Sequence, residues 1–527
     1  MKKLLVKNIG LLATPEGKSA HRGEEQGKVK FLKDAWVLIE DGVIASVGTG
    51  GVPSVEGAEI VDAEGHLVPP GLVDAHTHLI FGGWRQNELG MKLHGKTYLE
   101  IQNAGGGIQS TTNATRGATE EELTAKAAKA LDEMMAFGTT TCEAKSGYGL
   151  ATEHELKALE VIKDLNDHHR MDLVATFMGA HLVPAEYKAN REEYVRLVCE
   201  EMMPRVKEQG IAKFCDVFCE ADTFTVEESR QVLEAGLKYG LRPKIHADEI
   251  EAIGGSQLAG ELGAISAEHL IVCPPAGIEA MAKGGVIACL LPATSFNLGA
   301  VFAPARDMVN AGVPVAMATD FNPGSCPCLN MQFVINLGCL KYKLTPEEVL
   351  TAVTLNGAAA IDMADQVGSV EEGKLGDLIG PSQIQWVIDQ YGDPPAHTGA
   401  VAVGTKKAAK DLLRKSPELQ CRALENTYQE ESSDEGKWEY KDSSCRKQRK
   451  LSWLEKTLWN MYQVQSDSTI EWLSTSRNTL VAANDTVSTL QANATPNYDS
   501  WFAPVNRYLR IAQGVLVAAA AISLIVL

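Results

Sequence analysis

The sequence is poor in the features that identify several classes of protein. Its formal net charge is −19 at pH 7, and no cluster of Lys and Arg lies near its motifs. A nucleic-acid partner is therefore not expected, because phosphate binding needs a basic surface. The 11 cysteines are scattered and lack the paired CxxC spacing of a zinc ribbon or a disulfide framework. They are expected to be reduced thiols of a cytoplasmic protein.

The N-terminus lacks a secretory signal, and the chain has few aromatic residues. The apolar stretch that begins at Leu4 is interrupted by Lys7, which makes it too short for a signal peptide. Aromatic residues make up 6% of the chain and hydrophobic residues 45%. This composition is typical of a soluble enzyme with a sizeable core, and the length allows several domains.

The pattern of apolar residues changes near residue 68. Residues 1–68 alternate short apolar runs with glycine and charged turns, which predicts the hairpins of a small β-domain. From 69 to 360, apolar β-rich segments alternate with amphipathic helical stretches, and eight such units suit an α/β protein with a TIM-type (β/α)8 barrel. The eight predicted strands are residues 72–78, 139–144, 173–181, 216–220, 243–247, 264–269, 286–292 and 313–320.

Histidines and carboxylates stand at the ends of these predicted strands, where a TIM-type barrel carries its chemistry. The first strand ends in His76-Thr77-His78. Because side chains in a strand alternate between its two faces, both imidazoles point to the same face. Further candidates end the fifth and eighth strands, at His246 and Asp320. Three imidazoles and one carboxylate predict a site for zinc or ferrous iron with a position left open for water.

Three more residues near these strand ends are candidates for a role in the reaction. Glu249 could orient the water or the leaving group, although a solvated loop carboxylate is the alternative. His269 could exchange protons or hold substrate without touching the metal; otherwise it is a hydrogen-bonded core histidine. Arg85 offers a planar fork suited to a substrate carboxylate, but an arginine on a loop is usually only solvated.

Six strings of the sequence resemble one enzyme family. They are PGLVDAHTH (70–78), GGGI (105–108), KSGYGL (145–150), FMGAH (177–181), KIHADE (244–249) and ATDFNPGS (318–325). The chain is similar in these strings, and from about residue 1 to 379, to the imidazolonepropionases of the amidohydrolase superfamily. The implied reaction is hydrolysis of the ring amide of 4-imidazolone-5-propanoate to N-formimidoyl-L-glutamate, in histidine degradation.

The resemblance also implies roles for individual residues. One divalent ion, zinc or iron, is expected on His76, His78, His246 and Asp320, with Glu249 and His269 beside it as catalytic residues together with Asp320. Substrate contacts are expected from Arg85, Tyr148, His181, Asn322, Gly324 and Ser325. Other amidohydrolases bind a second metal through a carboxylated Lys at the end of strand four. Here that strand ends near Cys219 and Glu220, so one metal is expected. A homodimer is also implied.

The resemblance stops near residue 380. Residues 361–380 are expected to return towards the small domain, a β-sandwich whose C-terminal closing strands are not expected in this sequence. Residues 381–508 are expected to be an extension of unknown fold, partly linker or disordered, because charged runs interrupt it. Residues 509–527 are predicted to be a transmembrane or buried apolar helix. The apolar run 511–527 is at the short limit of the about 20 residues that a membrane span needs. Such a span would be a tail anchor that leaves the barrel in the cytosol.

Two other functions stay open at this point. One is a different amidohydrolase, such as a ring deaminase, although Arg85 and the string NPGS at 322–325 favour a substrate with a carboxylate. The other is an inactive membrane-anchored scaffold whose small domain is truncated.

Overall fold

The computed structural model describes most of the chain up to residue 379. The described residues are 3–96, 100–101 and 105–379, and three short strands at 429–430, 438–441 and 448–450. The residues up to 379 belong to one compact unit and the three strands to a second. Most of the predicted extension 381–508 and the whole apolar segment 509–527 lie outside the described residues. Within the described part, none of the helices has the length and apolar character that a membrane span requires.

The N-terminal residues form a five-stranded sheet with strand order β3-β2-β1-β4, in which β5 also pairs with β1. The predicted hairpin is present between β2 and β3, where Asp41 and Gly42 have φ values of 49° and 86°. Positive φ at both central residues matches the right-handed twist of the strands that the turn joins. The strand bounds are Lys3–Thr14, Lys30–Glu40, Val43–Thr49, Glu59–Asp62 and Leu67–Val68 for β1 to β5.

Eight strands form a parallel sheet in sequential order from β6 to β13, which confirms the predicted barrel. Each predicted strand overlaps one observed strand. Their burial is nearly complete, as expected for parallel strands covered by helices. The bounds are Leu72–Asp74, Thr139–Lys145, Asp172–Ala180, Phe214–Cys219, Arg242–Ala247, Ser266–His269, Ile287–Leu290 and Val315–Met317.

The barrel closes through residues that follow β6 and β13. The Asp320 N–H donates to the His76 carbonyl at 3.1 Å, and the His78 N–H donates to the Phe321 carbonyl at 2.8 Å. The Asp74 carboxylate accepts from the Thr319 N–H and hydroxyl at 3.0 and 2.6 Å. The two strands are thus shorter than predicted. The regular extended backbone ends before the site residues in both strands. The pairing of β6 is irregular between Leu72 and Val73, and Asp320 has a positive φ of 57°.

Helices connect the barrel strands, and three of them begin with the same sequence signal. Thr119, Thr225 and Thr345 each accept from the N–H of a Glu three residues later, whose carboxylate accepts the threonine N–H in return. The described helices of at least six residues are Glu88–Leu93, Gly107–Gly117, Glu120–Ala136, Thr152–His168, Arg191–Leu197, Met203–Gln209, Val226–Lys238, Gly255–Leu262, Pro275–Gly284, Pro292–Leu298, Ala305–Asn310, Met331–Leu340, Pro346–Ala352 and Leu355–Ala360.

The chain returns to the N-terminal sheet after the last of these helices. The Ile44 N–H donates to the Lys374 carbonyl at 2.8 Å, and the Gly373 N–H donates to the Ile44 carbonyl at 2.9 Å. Lys374 is buried, and its ammonium donates to the carbonyls of Gly17 and Ala364, both at 2.6 Å. These contacts join residues 373 and 374 to the N-terminal sheet and to the segment that precedes them.

Three short antiparallel strands form the described part of the second unit, in the order β14-β15-β16. Their bounds are Gln429–Glu430, Trp438–Lys441 and Gln448–Lys450. The sequence predicts linker or disorder for part of residues 381–508, and this stays a prediction.

Candidate active site

Four side chains converge at the C-terminal end of the barrel. The Nε2 atoms of His76 and His78 lie 3.3 and 3.6 Å from Asp320 Oδ1. His246 Nε2 lies 3.3 Å from His78 Nε2. All four residues are at most 3% exposed. The predicted metal ligands therefore present one atom each to a common point.

These atoms suit a divalent cation in spacing and in chemistry. A tetrahedron with metal–ligand distances of about 2.0–2.1 Å has edges of about 3.3 Å, close to the separations found here. His76 Nε2 and Asp320 Oδ1 are buried and have no hydrogen-bond partner among the described residues. Buried polar atoms are normally satisfied, so atoms that converge without partners indicate a ligand. Nitrogen and oxygen donors together fit zinc or ferrous iron.

The ligand side chains are held by groups behind them. His76 Nδ1 lies 2.6 Å from Glu268 Oε2, and His246 Nδ1 lies 3.1 Å from Asp216 Oδ1. The second carboxylate oxygen of Asp320 accepts from the Thr294 hydroxyl at 2.6 Å. A carboxylate on Nδ1 fixes the tautomer in which Nε2 faces the metal.

Glu249 and His269 lie together beside the predicted ligands. His269 Nε2 is 3.6 Å from Glu249 Oε2. Burial, followed by the charges of Asp320 and Glu220, raises the pKa of Glu249 to about 8. Burial, with a contribution from the imidazoles of His246 and His76, lowers the pKa of His269 to about 3, against the opposing charge of Asp320. The pair thus combines a neutral imidazole with a carboxyl group poised to exchange a proton near neutral pH.

Glu220 anchors the loop that carries Glu249. Its Oε2 accepts the N–H groups of Glu249 and Ile250 at 2.9 and 2.8 Å, and its Oε1 accepts that of Glu251 at 2.9 Å. Glu220 is 1% exposed and stands at the end of the fourth barrel strand. This position carries the second-metal lysine in other amidohydrolases, and here its side chain is engaged with a loop.

Arg85 is a buried cation without a full set of partners. It is 7% exposed, and its Nε and Nη1 find no hydrogen-bond acceptor among the described residues. The Arg85 N–H donates to the Pro323 carbonyl at 3.0 Å, which ties its loop to the segment after β13. A Cβ atom added at Gly324 would overlap the guanidinium. The absence of a side chain at Gly324 therefore leaves room for the Arg85 guanidinium. The N–H groups on Nε and Nη1 of Arg85 are suited to bind an anion.

Asn322 shapes the segment after β13. Its Oδ1 accepts the N–H groups of Gly324 and Ser325 at 2.9 and 2.7 Å, and its Nδ2 donates to the Asp320 carbonyl and to Ser325 Oγ, both at 2.8 Å. The structure thus places Asn322, Gly324 and Ser325 together, with both amide atoms of Asn322 engaged inside the loop. Their predicted contact with substrate stays a prediction.

His181 and Tyr148 line the site next to His78. The His78 and His181 rings stack with centroids 4.8 Å apart, and the Tyr148 and His181 centroids are 5.1 Å apart. His181 Nδ1 contacts the Gly147 carbonyl at 2.9 Å, which leaves Nε2 for another partner. Burial, with the charge of His246 adding to it, lowers the pKa of His181 to about 3, so this imidazole is neutral.

Several residues around the site were not singled out from the sequence. Glu155 accepts the N–H groups of Gly147, Gly149 and Leu150 at 2.7 to 2.9 Å and so holds the loop of Tyr148. Glu220 does the same for the Glu249 loop. A layer of charged residues fills the barrel beneath the histidines: Glu143, Lys145, Asp216, Lys244 and Glu268. The signal was present, because each member of this layer is a charged residue within or directly after a predicted barrel strand, where burial requires a charge to be paired.

Comparison with known proteins agrees with this arrangement. Residues 67–381 match the amidohydrolase family. The imidazolonepropionase of Alkaliphilus metalliredigens is 52% identical over 385 residues, which cover 72% of this chain and 91% of the relative. That of Brevibacillus brevis is 51% identical over 385 residues, with the same 72% and 91% coverage. The solved structure of an adenosine deaminase from Xanthomonas campestris with bound zinc aligns with a TM-score of 0.55 and 19% sequence identity. The alignment covers 76% of this chain and 90% of the deaminase chain. At that identity the likeness shows the fold alone.

Proposed function

The chain belongs to the amidohydrolase family, in its imidazolonepropionase branch, and we propose that it hydrolyses the ring amide of 4-imidazolone-5-propanoate to N-formimidoyl-L-glutamate. The enzyme is a hydrolase that acts on a carbon–nitrogen bond in a cyclic amide. The observation that carries the proposal is the convergence of buried, unpartnered groups: Nε2 of His76, Oδ1 of Asp320 and the guanidinium of Arg85.

A divalent ion completes the proposed site. His76, His78, His246 and Asp320 would hold it, and zinc and ferrous iron both suit these donors. When bound, such an ion polarises the ring carbonyl and lowers the pKa of a water molecule towards neutrality. The choice between zinc and iron stays a prediction, as do the homodimer, the cytoplasmic location and the membrane anchor.

The substrate is held by its propanoate group. Arg85 offers Nε and Nη1 without acceptors of their own in the described chain, and N–H groups of a guanidinium form charge-assisted hydrogen bonds to a carboxylate. Gly324 leaves the space that this orientation needs. His181 and Tyr148 border the pocket next to His78 and are placed to contact the ring.

Glu249 moves the proton in the proposed reaction. Its carboxylate takes a proton from the water that attacks the ring carbonyl carbon, and returns it to the ring nitrogen as the carbon–nitrogen bond breaks. The nitrogen keeps the electron pair of that bond, and the carbonyl carbon becomes the new carboxyl group. A pKa raised to about 8 by burial suits a group that must both accept and donate. Neutral His269, 3.6 Å away, positions this carboxyl group.

A ring deaminase is the second candidate, because the barrel and a histidine-rich metal centre suit that chemistry as well. The unpartnered guanidinium of Arg85 argues against it, since a nucleobase ring has no carboxylate to pair with a buried cation. The inactive scaffold has less support, because every residue proposed for the site lies within the described residues 3–379.

A comparison of two substrates tests the proposal. The full-length protein, solubilised in detergent and loaded with zinc or iron, is given 4-imidazolone-5-propanoate or 5-methyl-4-imidazolone, which lacks the carboxylate, and the loss of ring absorbance is followed. We expect kcat/KM for the ring without carboxylate to be lower by about 100-fold or more, the value of a charge-assisted pair. In Arg85→Met the difference between the substrates should nearly vanish. Equal turnover of both substrates by the wild type would contradict the proposal.

A further inference from the structure

The barrel interior contains a layer of five charged side chains below the predicted metal ligands. Glu143, Lys145, Asp216, Lys244 and Glu268 are each at most 1% exposed. Buried ions are costly unless they are paired with good geometry. The layer holds three carboxylates and two ammonium groups, and its ion pairs have distances of 2.8 to 3.0 Å. Such an arrangement needs a reason beyond stability, because apolar residues of similar volume would fill a barrel at lower cost.

Two members of this layer act on the predicted ligands. Glu268 lies 2.6 Å from Nδ1 of His76, and Asp216 lies 3.1 Å from Nδ1 of His246. The two carboxylates therefore control the direction in which two of the three ligand imidazoles point their Nε2 atoms.

Lys145 joins these two carboxylates. Its Nζ lies 2.8 Å from Asp216 Oδ2 and 3.0 Å from Glu268 Oε2. The Glu268 oxygen that faces Lys145 is the same one that contacts His76. Among the described residues, no other lysine or arginine forms an ion pair with both carboxylates.

Lys244 provides a natural control for Lys145. It is equally buried, and its Nζ lies 2.9 Å from Glu143 and 2.9 Å from Glu268. It faces the other Glu268 oxygen, Oε1, and also contacts the Ala75 carbonyl at 3.3 Å. Within the described chain it forms no ion pair with Asp216. Loss of either lysine removes one buried charge. Both lysines pair with Glu268, whose Oε2 also lies 3.5 Å from Nδ1 of His246, but within the described chain only Lys145 also pairs with Asp216, which is nearer to His246 at 3.1 Å.

We propose that Lys145 is a positioning residue for the metal, whose ammonium group orients Asp216 and Glu268 so that His246 and His76 direct Nε2 at one point. The inference rests on the metal site of the proposed function and concerns how that site is pre-organised. Lys145 belongs to the string KSGYGL, one of the six that resemble the family. The proposed role concerns metal affinity, whereas Tyr148 of the same string is predicted to contact the substrate.

Metal affinity of purified full-length variants tests this role without any substrate. The dissociation constant for Zn²⁺ is measured by competition with a chromogenic chelator, and the visible spectrum of the Co²⁺ form reports ligand geometry. Lys145→Met is compared with Lys244→Met and with the wild type, and thermal unfolding of each metal-free protein is recorded. We expect Lys145→Met to weaken Zn²⁺ binding by about 10- to 100-fold, as the loss of an outer partner does. Lys244→Met should change it by less than about threefold, below that range, because Lys244 pairs with Glu143 and with the Glu268 oxygen that faces away from His76.

A double variant shows whether Lys145 acts through Asp216. The Asp216→Asn and Lys145→Met effects on Zn²⁺ affinity should be less than additive when combined, because both remove the same support of His246. The Co²⁺ spectrum of Lys145→Met should shift, whereas that of Lys244→Met should match the wild type.

Each other outcome decides against the proposal or against its premise. If Lys145→Met and Lys244→Met destabilise the metal-free protein alike and leave Zn²⁺ affinity unchanged, Lys145 is only structural. If Lys145→Met does not fold, it is replaced by Lys145→Gln, which keeps two N–H donors but carries no charge. The inference is also wrong if Lys145→Gln binds Zn²⁺ as tightly as the wild type, or if neither variant folds. If the wild type itself binds no Zn²⁺ or Fe²⁺, the metal site of the proposed function is wrong.

Discussion

Two sets of buried polar side chains, one at each end of the barrel, differ in whether they have hydrogen-bond partners. At the C-terminal end, His76 Nε2, Asp320 Oδ1 and two nitrogens of Arg85 are buried without hydrogen-bond partners in the described chain. At the N-terminal end, Gln26 and Asn356 are fully buried, and their side-chain amides form hydrogen bonds. The Gln26 amide exchanges hydrogen bonds with Val315 at 3.0 and 3.1 Å, and Asn356 donates to the carbonyls of His21 and Val315, both at 2.9 Å.

The difference distinguishes stability from function. A buried polar group without a partner costs about 1–3 kcal/mol, so a fold tolerates several at one place only where a ligand satisfies them. A group with every partner present contributes to stability and leaves nothing for a ligand. Substitutions at the C-terminal end should therefore change activity, and substitutions at the N-terminal end should change stability.

The largest effect is expected from His246→Ala. Loss of one of the predicted ligands removes several kcal/mol of transition-state stabilisation, so kcat/KM should fall by more than about a thousandfold. Metal content, measured by atomic emission after dialysis, should fall with it. The unfolding midpoint of the metal-free protein should also fall, because the substitution removes the 3.3 Å contact with His78 Nε2 and the 3.1 Å contact with the buried Asp216 carboxylate. A variant that kept its metal and turnover would remove His246 from the site.

Gly324→Ala should have the next largest effect. The added methyl group overlaps the Arg85 guanidinium, so the arginine must move away from the carboxylate that it is proposed to bind. A charge-assisted hydrogen bond is worth about 1.5–3 kcal/mol, which corresponds to a rise in KM of about 10- to 100-fold. Steady-state kinetics should show a smaller change in kcat. Gly51→Ala is a matched control, since a Cβ there meets no atom within 4 Å.

Gln26→Ala should affect stability and leave the chemistry unchanged. The substitution leaves the Val315 N–H without the 3.0 Å partner that it has in the native protein, which costs about 1–3 kcal/mol of the free energy of unfolding. Chemical denaturation of the metal-loaded protein measures this loss. The kcat per folded molecule should equal that of the wild type. A large loss of kcat without loss of stability would break the distinction between the two ends.

Glu249→Gln should change stability by an amount that depends on pH and is smallest near pH 4.5. Burial raises the pKa of Glu249 to about 8 in the folded chain, above its unfolded value. Between the two values the unfolded chain releases a proton that the folded chain keeps, so the stability of the wild type falls as pH rises through this window. The Gln variant lacks this loss.

Denaturation of the two metal-free proteins measures the difference. The variant should be nearly as stable as the wild type near pH 4.5 and more stable at pH 8, by up to about 4 kcal/mol for a pKa raised from 4.5 to about 8. It should also lose activity, because the amide cannot accept the proton. A variant that is equally stable at both pH values would show that Glu249 titrates normally.

Local patterns in the sequence predicted much of the fold. The alternation of apolar strands with amphipathic helices was sufficient for the eight barrel units, and Asp41-Gly42 was sufficient for a hairpin. Thr119, Thr225 and Thr345 with their Glu partners marked three helix starts. These signals are readable because each depends on residues at most a few positions apart.

The sequence by itself determined which residue types stand at the strand ends, and hence the metal-hydrolase chemistry. Only the tertiary structure decided how they are used. Asp216 and Glu268 come from different strands than Lys145, and Glu220 reaches a loop that is about 30 residues away in sequence. The unpartnered state of Arg85 depends likewise on groups distant along the chain. Whether a buried charge is paired is a property of the neighbours that folding supplies, and a linear pattern does not contain it.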